Sequence, residues 1–227
     1  SDHTIAVGGN IKVSNQVVMD KGRVLEIKPP KKMLVIFQMI EYIRVFLNSR
    51  VALNSLNANL IVSGAFGIYS KKAVINVGGY THGLMGEDME IVVKMHAFYR
   101  KNKMPYRISY APDAICWTQV PEKYRILKRQ RTRWHVGMGQ SLKNHWFMFF
   151  NPNYGSVGMI AYPYYLFFEF ITPLLEIVGL TTIVISYTLD IINVHFFFLY
   201  LFVYMGYNLI VSMISILLEK YLFSKTM

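Results

Sequence analysis

Residues 130–134 read Gln-Arg-Thr-Arg-Trp, and their surroundings decide what kind of molecule the chain is. Three and four positions separate Gln130 from Arg133 and Trp134, so on a helix these side chains crowd one face. A guanidinium beside an indole offers a fork for phosphate oxygens and a flat surface for a sugar ring. A basic amphipathic helix on a membrane surface, with Trp134 as its interfacial anchor, would carry the same residues. By itself the pentapeptide leaves both readings open.

Working outward, the pentapeptide lies inside a basic helix expected over about 121–145. Before it, strand and helix signals alternate, which argues for an α/β core. Ile5–Val13 is rich in β-branched residues and reads as a strand, and Pro29-Pro30 breaks the segment before a mostly apolar helix over about 33–53. Leu60–Tyr69 reads as a buried strand interrupted by Gly64 and Gly67. Lys71–Val77 reads as a short helix closed by Gly78-Gly79. Ile91, Val92, Met95 and Phe98 recur at helical spacing within Glu87–Arg100, Tyr106–Tyr110 is a strand, and Pro112-Asp113 a turn.

Charge divides the chain in two. Residues 1–154 hold 22 of the 24 Lys and Arg and nine of the 13 Asp and Glu, a net +13, whereas the remainder carries −2. A basic part beside apolar helices suits an anionic substrate, a nucleic acid, or a cytoplasmic face against anionic lipid. Nucleic acid is disfavoured, because the aromatics concentrate in the tail instead of interleaving with the basic residues. Cys116 is the sole cysteine, which fits a reducing compartment. Ser1-Asp2-His3 reads as the middle of a longer protein.

The tail is apolar from near Met159. Val194–Leu218 carries no charge over 25 residues, above the ~20 that cross a bilayer as a helix. The pattern predicts an interfacial helix over roughly 158–172, a span over 173–189, a turn at Asp190–Asn193 and a returning span over 194–218. The positive-inside bias places the basic part, with Lys220 and Lys225, in the cytoplasm.

A second cluster, Gly86-Glu87-Asp88, opens a helix. A carboxylate there is held by orphan backbone N–H groups and can face a cleft as a base for a hydroxyl proton, although a plain helix cap looks the same. Taken in order, Val62-Ser63-Gly64-Ala65-Phe66-Gly67, Gly78-Gly79-Tyr80, Gly86-Glu87-Asp88 and Gln130-Arg131-Thr132-Arg133-Trp134 precede the membrane helices. This order resembles the processive glycan synthases of glycosyltransferase family 2, particularly poly-N-acetylglucosamine synthases and cellulose synthase catalytic subunits. Glu41-Tyr42, Pro112-Asp113 and residues 116–121 also match that pattern.

The resemblance implies an α/β, Rossmann-like GT-A catalytic domain that inverts the anomeric centre of a nucleotide-sugar, typically a UDP-sugar, onto a growing glycan acceptor. Residues 1–154 would be the acceptor-side part of a cytoplasmic catalytic domain, and 155–227 the interfacial helix and transmembrane hairpin of a multi-pass plasma-membrane enzyme. Asp88 would be the general base. Arg133, with Gln130, would contact the donor pyrophosphate, and Trp134 would stack under the terminal acceptor sugar. Glu87, Ser63 and Gly64 would line the substrate side, where a glycine allows close approach to the backbone. A divalent metal, Mg2+ or Mn2+, is implied, with ligands in a D-x-D motif expected upstream of Ser1. No D-x-D occurs in the chain, so the fragment alone is expected to be inactive. The resemblance also implies a lipid bilayer and an accessory synthase subunit as partners. A non-processive relative acting on a lipid acceptor is the near alternative, and a non-catalytic basic membrane protein the distant one.

Overall fold

Thr4–Val13 forms strand β1, which is buried along most of its length on both sides. The reason is its place in the sheet: β1 pairs antiparallel with Gly67–Tyr69 (β4) on one edge and parallel with Arg107–Thr118 (β5) on the other. A central strand covered on both faces needs apolar residues without strict alternation, as Ile5, Ala6, Ile11 and Val13 supply. The computed structural model of the protein describes residues 3–21 and 23–223.

Between β1 and β4 the chain forms a ribbon of Val17–Asp20 (β2) and Arg23–Ile27 (β3), then helix Met33–Arg44 (α1). The latter runs through one π turn, Val45–Ser49, into Arg50–Ser55 (α2). Lys71–Asn76 (α3) starts on the Ser70 hydroxyl, which accepts from the Ala73 N–H. It ends at Gly78 and Gly79, both at positive φ. Glu87–Lys101 (α4) and Tyr124–Asn144 (α5) complete the mixed α/β architecture.

Ile91, Val92, Met95 and Tyr99 of α4 pack on Ile5, Ala6, Val62, Ala73 and Ile108, forming the main core. Each Val, Ile or Met side chain fully withdrawn from water here contributes about 1.5–3 kcal/mol. At the far end of β1, Val13, Val35 and Val120 make a smaller cluster that ties α1 to the segment entering α5.

Two sequence expectations are corrected. Only Gly67–Tyr69 of the predicted strand over 60–69 joins the sheet; residues 58–66 run irregularly. Their carbonyls are taken up elsewhere: Asn59 faces His96, Ile61 accepts from Arg50, and Ser63 accepts from the Phe66 N–H. Pro112-Asp113 is not a turn ending a strand but lies within β5, where the ladder jumps from Gly9–Ala111 to Asn10–Ile115. Proline has no N–H for the ladder, so the strand bulges past it and resumes. The β2–β3 ribbon was not foreseen.

The chain divides into two compact units, Ser1–Pro163 and Tyr164–Met227. A helical run from Val157 to Phe170 is mostly π-type, with a regular turn only at Tyr162–Tyr164 (α6). Pro173 follows as Thr172–Thr188 (α7) begins, and Val194–Phe223 (α8) comes last. Among the described residues one helix, Val194–Tyr221, is by itself long and apolar enough to cross a membrane.

Candidate active site

Asp88 stands in the first turn of α4, after the N-cap Gly86. One carboxylate oxygen accepts from its neighbour's amide, Met89 N–H, at 2.9 Å, and the other from the Gly64 N–H at 3.2 Å. One donor from the first turn of α4 and one from the 58–66 segment together fix the orientation of the carboxylate. Asp88 remains half-buried and thus reachable.

Gly64 also has a structural reason for being glycine. A Cβ there would sit 3.0 Å from Asp88 Oδ2, so the residue makes room for the carboxylate itself. Ser63 precedes it, half-buried, and Glu87 is exposed at the helix start. Tyr69 lies within electrostatic reach: burial pushes its phenol well above the ordinary value, the Tyr80 and Asp88 charges push it further, and Arg50 opposes them.

The second motif rides on α5, and two glycines bring it to the first. A Cβ on Gly137 would meet the Gly86 backbone nitrogen at 2.5 Å, and one on Gly86 would meet the Gly137 backbone at 3.0 Å. Helix α5 therefore crosses the start of α4 with backbone nearly on backbone. Gln140 fixes the crossing by accepting from the Met85 N–H at 3.0 Å. Trp134 lies one turn before Gly137, and Asp88 two residues after Gly86, so the two motifs meet at one corner of the domain.

Within that corner the guanidinium and indole that meet are not sequence neighbours. The guanidinium over the indole is Arg131's, 4.7 Å from the ring centre. Arg131 also grips Glu41 of α1 with both its terminal nitrogens, at 2.5 and 2.7 Å. Arg133 is exposed, Trp134 is 39% exposed, and Gln130 is half-buried. The Gln130 Oε1 is buried without a hydrogen-bond partner among the described residues, a group that needs a donor.

Behind the site, Glu90 is 3% exposed and its Oε2 lies 3.6 Å from His145 Nδ1 at the end of α5, a further α4–α5 contact. His96, fully buried, is held neutral: burial lowers its pKa from 6.5 to about 4, against a hydrogen bond to Asn59 O. Its Nδ1 is 2.6 Å from the Tyr106 hydroxyl and its Nε2 is 2.9 Å from Asn59 O. A neutral ring with the proton on Nε2 donates to Asn59 and accepts from Tyr106.

Sequence reasoning missed Gly137, Gln140 and the partner choice of Arg131. Gly137 and Gly139 inside a helical pattern were a legible hint of close packing. Among the described residues no three or more His, Cys, Asp or Glu gather as a metal ligand set.

Comparison with known proteins gives consistent matches. The family model described as "Glycosyl transferase family group 2" matches residues 35–217. A poly-beta-1,6-N-acetyl-D-glucosamine synthase from Staphylococcus aureus is 36% identical over 86 residues, 38% of this chain and 19% of that protein. The synthase of the same description from Staphylococcus epidermidis is 33% identical over 100 residues, 44% of this chain and 23% of that protein. The matched stretch thus spans less than a quarter of these relatives' length.

Proposed function

This chain belongs to glycosyl transferase family group 2, and from that premise we propose that it supplies the acceptor side of a membrane-bound, inverting glycan synthase with a GT-A catalytic domain. The observation that carries the reading is the Asp88 carboxylate, held by two amides and left accessible, at the corner where Gly86 and Gly137 bring in the Gln130–Trp134 turn.

The donor is a nucleotide-sugar, a UDP-sugar by the family resemblance, and the acceptor a growing polysaccharide. Asp88 takes the proton from the acceptor hydroxyl as that oxygen attacks the anomeric carbon. The bond from that carbon to the nucleoside diphosphate breaks on the opposite face, so the configuration inverts. Arg133 faces the departing pyrophosphate with a guanidinium, and the unsatisfied Gln130 Oε1 awaits a donor from substrate. Trp134 offers its exposed indole as a stacking surface for the terminal sugar. Ser63, Gly64 and Glu87 border the acceptor path. A divalent metal, Mg2+ or Mn2+, would neutralise charge on the diphosphate, with ligands outside these residues.

Residues 1–154 form the cytoplasmic part in this reading, and 155–227 attach it to the plasma membrane. Product analysis tests it. The full-length enzyme given a UDP-sugar should release nucleoside diphosphate and build a long glycan. One sugar per lipid acceptor would instead indicate a non-processive enzyme of the same family, and no sugar transfer at all would overturn the proposal.

A further inference from the structure

We infer that Glu41 and Arg131 are positioning residues that set the orientation of the Trp134 indole. The inference rests on the reading of Trp134 as the acceptor-sugar platform. Arg131 bridges two elements distant in sequence: its guanidinium is 4.7 Å from the centre of the Trp134 ring and bonded through both terminal nitrogens to the Glu41 carboxylate.

A three-residue spacing on one helix lets Arg131 reach Trp134, but the arginine alone has many rotamers. The bidentate grip on Glu41 selects one of them, because the planar fork fixes distance and rotation together. The guanidinium, 4.7 Å from the ring centre, then fixes the indole in turn.

Glu41 can serve as this reference point because α1 is itself tied down one turn earlier. Buried Gln38 donates through Nε2 to Leu34 O at 2.8 Å and to Pro121 O at 2.9 Å, just before α5. Nearby, Asn15 Nδ2 donates to Val120 O and to Glu122, and Lys32 pairs with Glu122 at 2.5 Å. The Glu41–Arg131 pair thus spans two helices already held in register. Its consequence falls on the indole face and not on the helix crossing, which Gly86–Gly137 fixes separately.

The test uses the full-length enzyme labelled with 5-fluorotryptophan, the Trp134 resonance being assigned by its loss in Trp134→Phe. Glu41→Gln and Arg131→Lys should each shift that resonance and leave that of Trp117 in place. Each should raise the acceptor KM about three- to tenfold and leave nucleoside diphosphate affinity within about twofold. The charge-swapped double variant Glu41→Arg/Arg131→Glu separates positioning from clamping, because it rebuilds the ion pair but sets a carboxylate beside the indole. It should recover thermal stability while the Trp134 resonance and acceptor KM stay displaced.

An unchanged resonance in Glu41→Gln, or full recovery of resonance and KM in the swap, would overturn the inference. If Trp134→Ala left acceptor KM unaltered while Glu41→Gln still moved the resonance, the acceptor role of Trp134 would fall and the coupling would stand.

Discussion

In the proposed mechanism Asp88 serves as a base only while its carboxylate points where two backbone amides aim it, and Gly64 leaves the room for that. Gly64→Ala should push a methyl group against Oδ2 and lower kcat roughly tenfold, through misplacement of the reacting group, with nucleotide affinity unchanged. Steady-state rates beside nucleotide titration check this. Arg133 and Trp134 should separate in the opposite way. Arg133→Ala should weaken nucleoside diphosphate binding by roughly ten- to a hundredfold in isothermal titration, whereas Trp134→Ala should spare it and shorten the polymer. His96 gives a pH prediction. With its folded pKa lowered from 6.5 to about 4, the unfolded chain binds the extra proton between those values. The stabilisation is therefore complete above about pH 6.5, and falls as pH drops toward 4, by about 3 kcal/mol in all. His96→Leu should melt lower at neutral pH, through the hydrogen bonds lost at Tyr106 and Asn59, but lose less further stability on acidification. Thermal midpoints of both proteins across pH 7 to 5 report the difference.

At the level of elements, helices were more legible than strands. Glu87–Lys101 and Tyr124–Asn144 announce themselves through periodic apolar or basic residues, and the first also through the acids of its opening turn. Leu60–Tyr69 misled because only its last three residues find a strand partner; before them the side chains of Arg50 and His96 engage the Ile61 and Asn59 carbonyls. The bulge in β5 arises from pairing with β1, a long-range fact that Pro112 only hints at. Likewise the two motifs were readable as local patterns, while their meeting depends on Gly86 against Gly137, two positions far apart in sequence. Gly137→Ala would force a Cβ onto the Gly86 backbone, which cannot rotate aside as a side chain can. Overpacking of this kind costs about 1–3 kcal/mol. The variant should lose stability and most of its turnover, while Gly139→Ala, next along α5, should cost less in both. Thermal melting and steady-state rate measurements on the pair check the crossing.

For the whole molecule, the asymmetry of +13 over residues 1–154 against −2 over the remainder predicts an orientation. A cysteine probe at Asn193 should react with an impermeant reagent added outside the cell, and one at Lys103 should not; the reverse pattern would defeat the topology. The central claim of the proposed mechanism is that Asp88 is the base. The decisive measurement is glycan synthesis by the purified full-length Asp88→Asn enzyme, beside its affinity for nucleoside diphosphate. Loss of a general base costs about a hundredfold or more, so synthesis should be abolished while folding, membrane insertion and nucleotide affinity are retained. Near-normal turnover in the Asn variant would contradict the account.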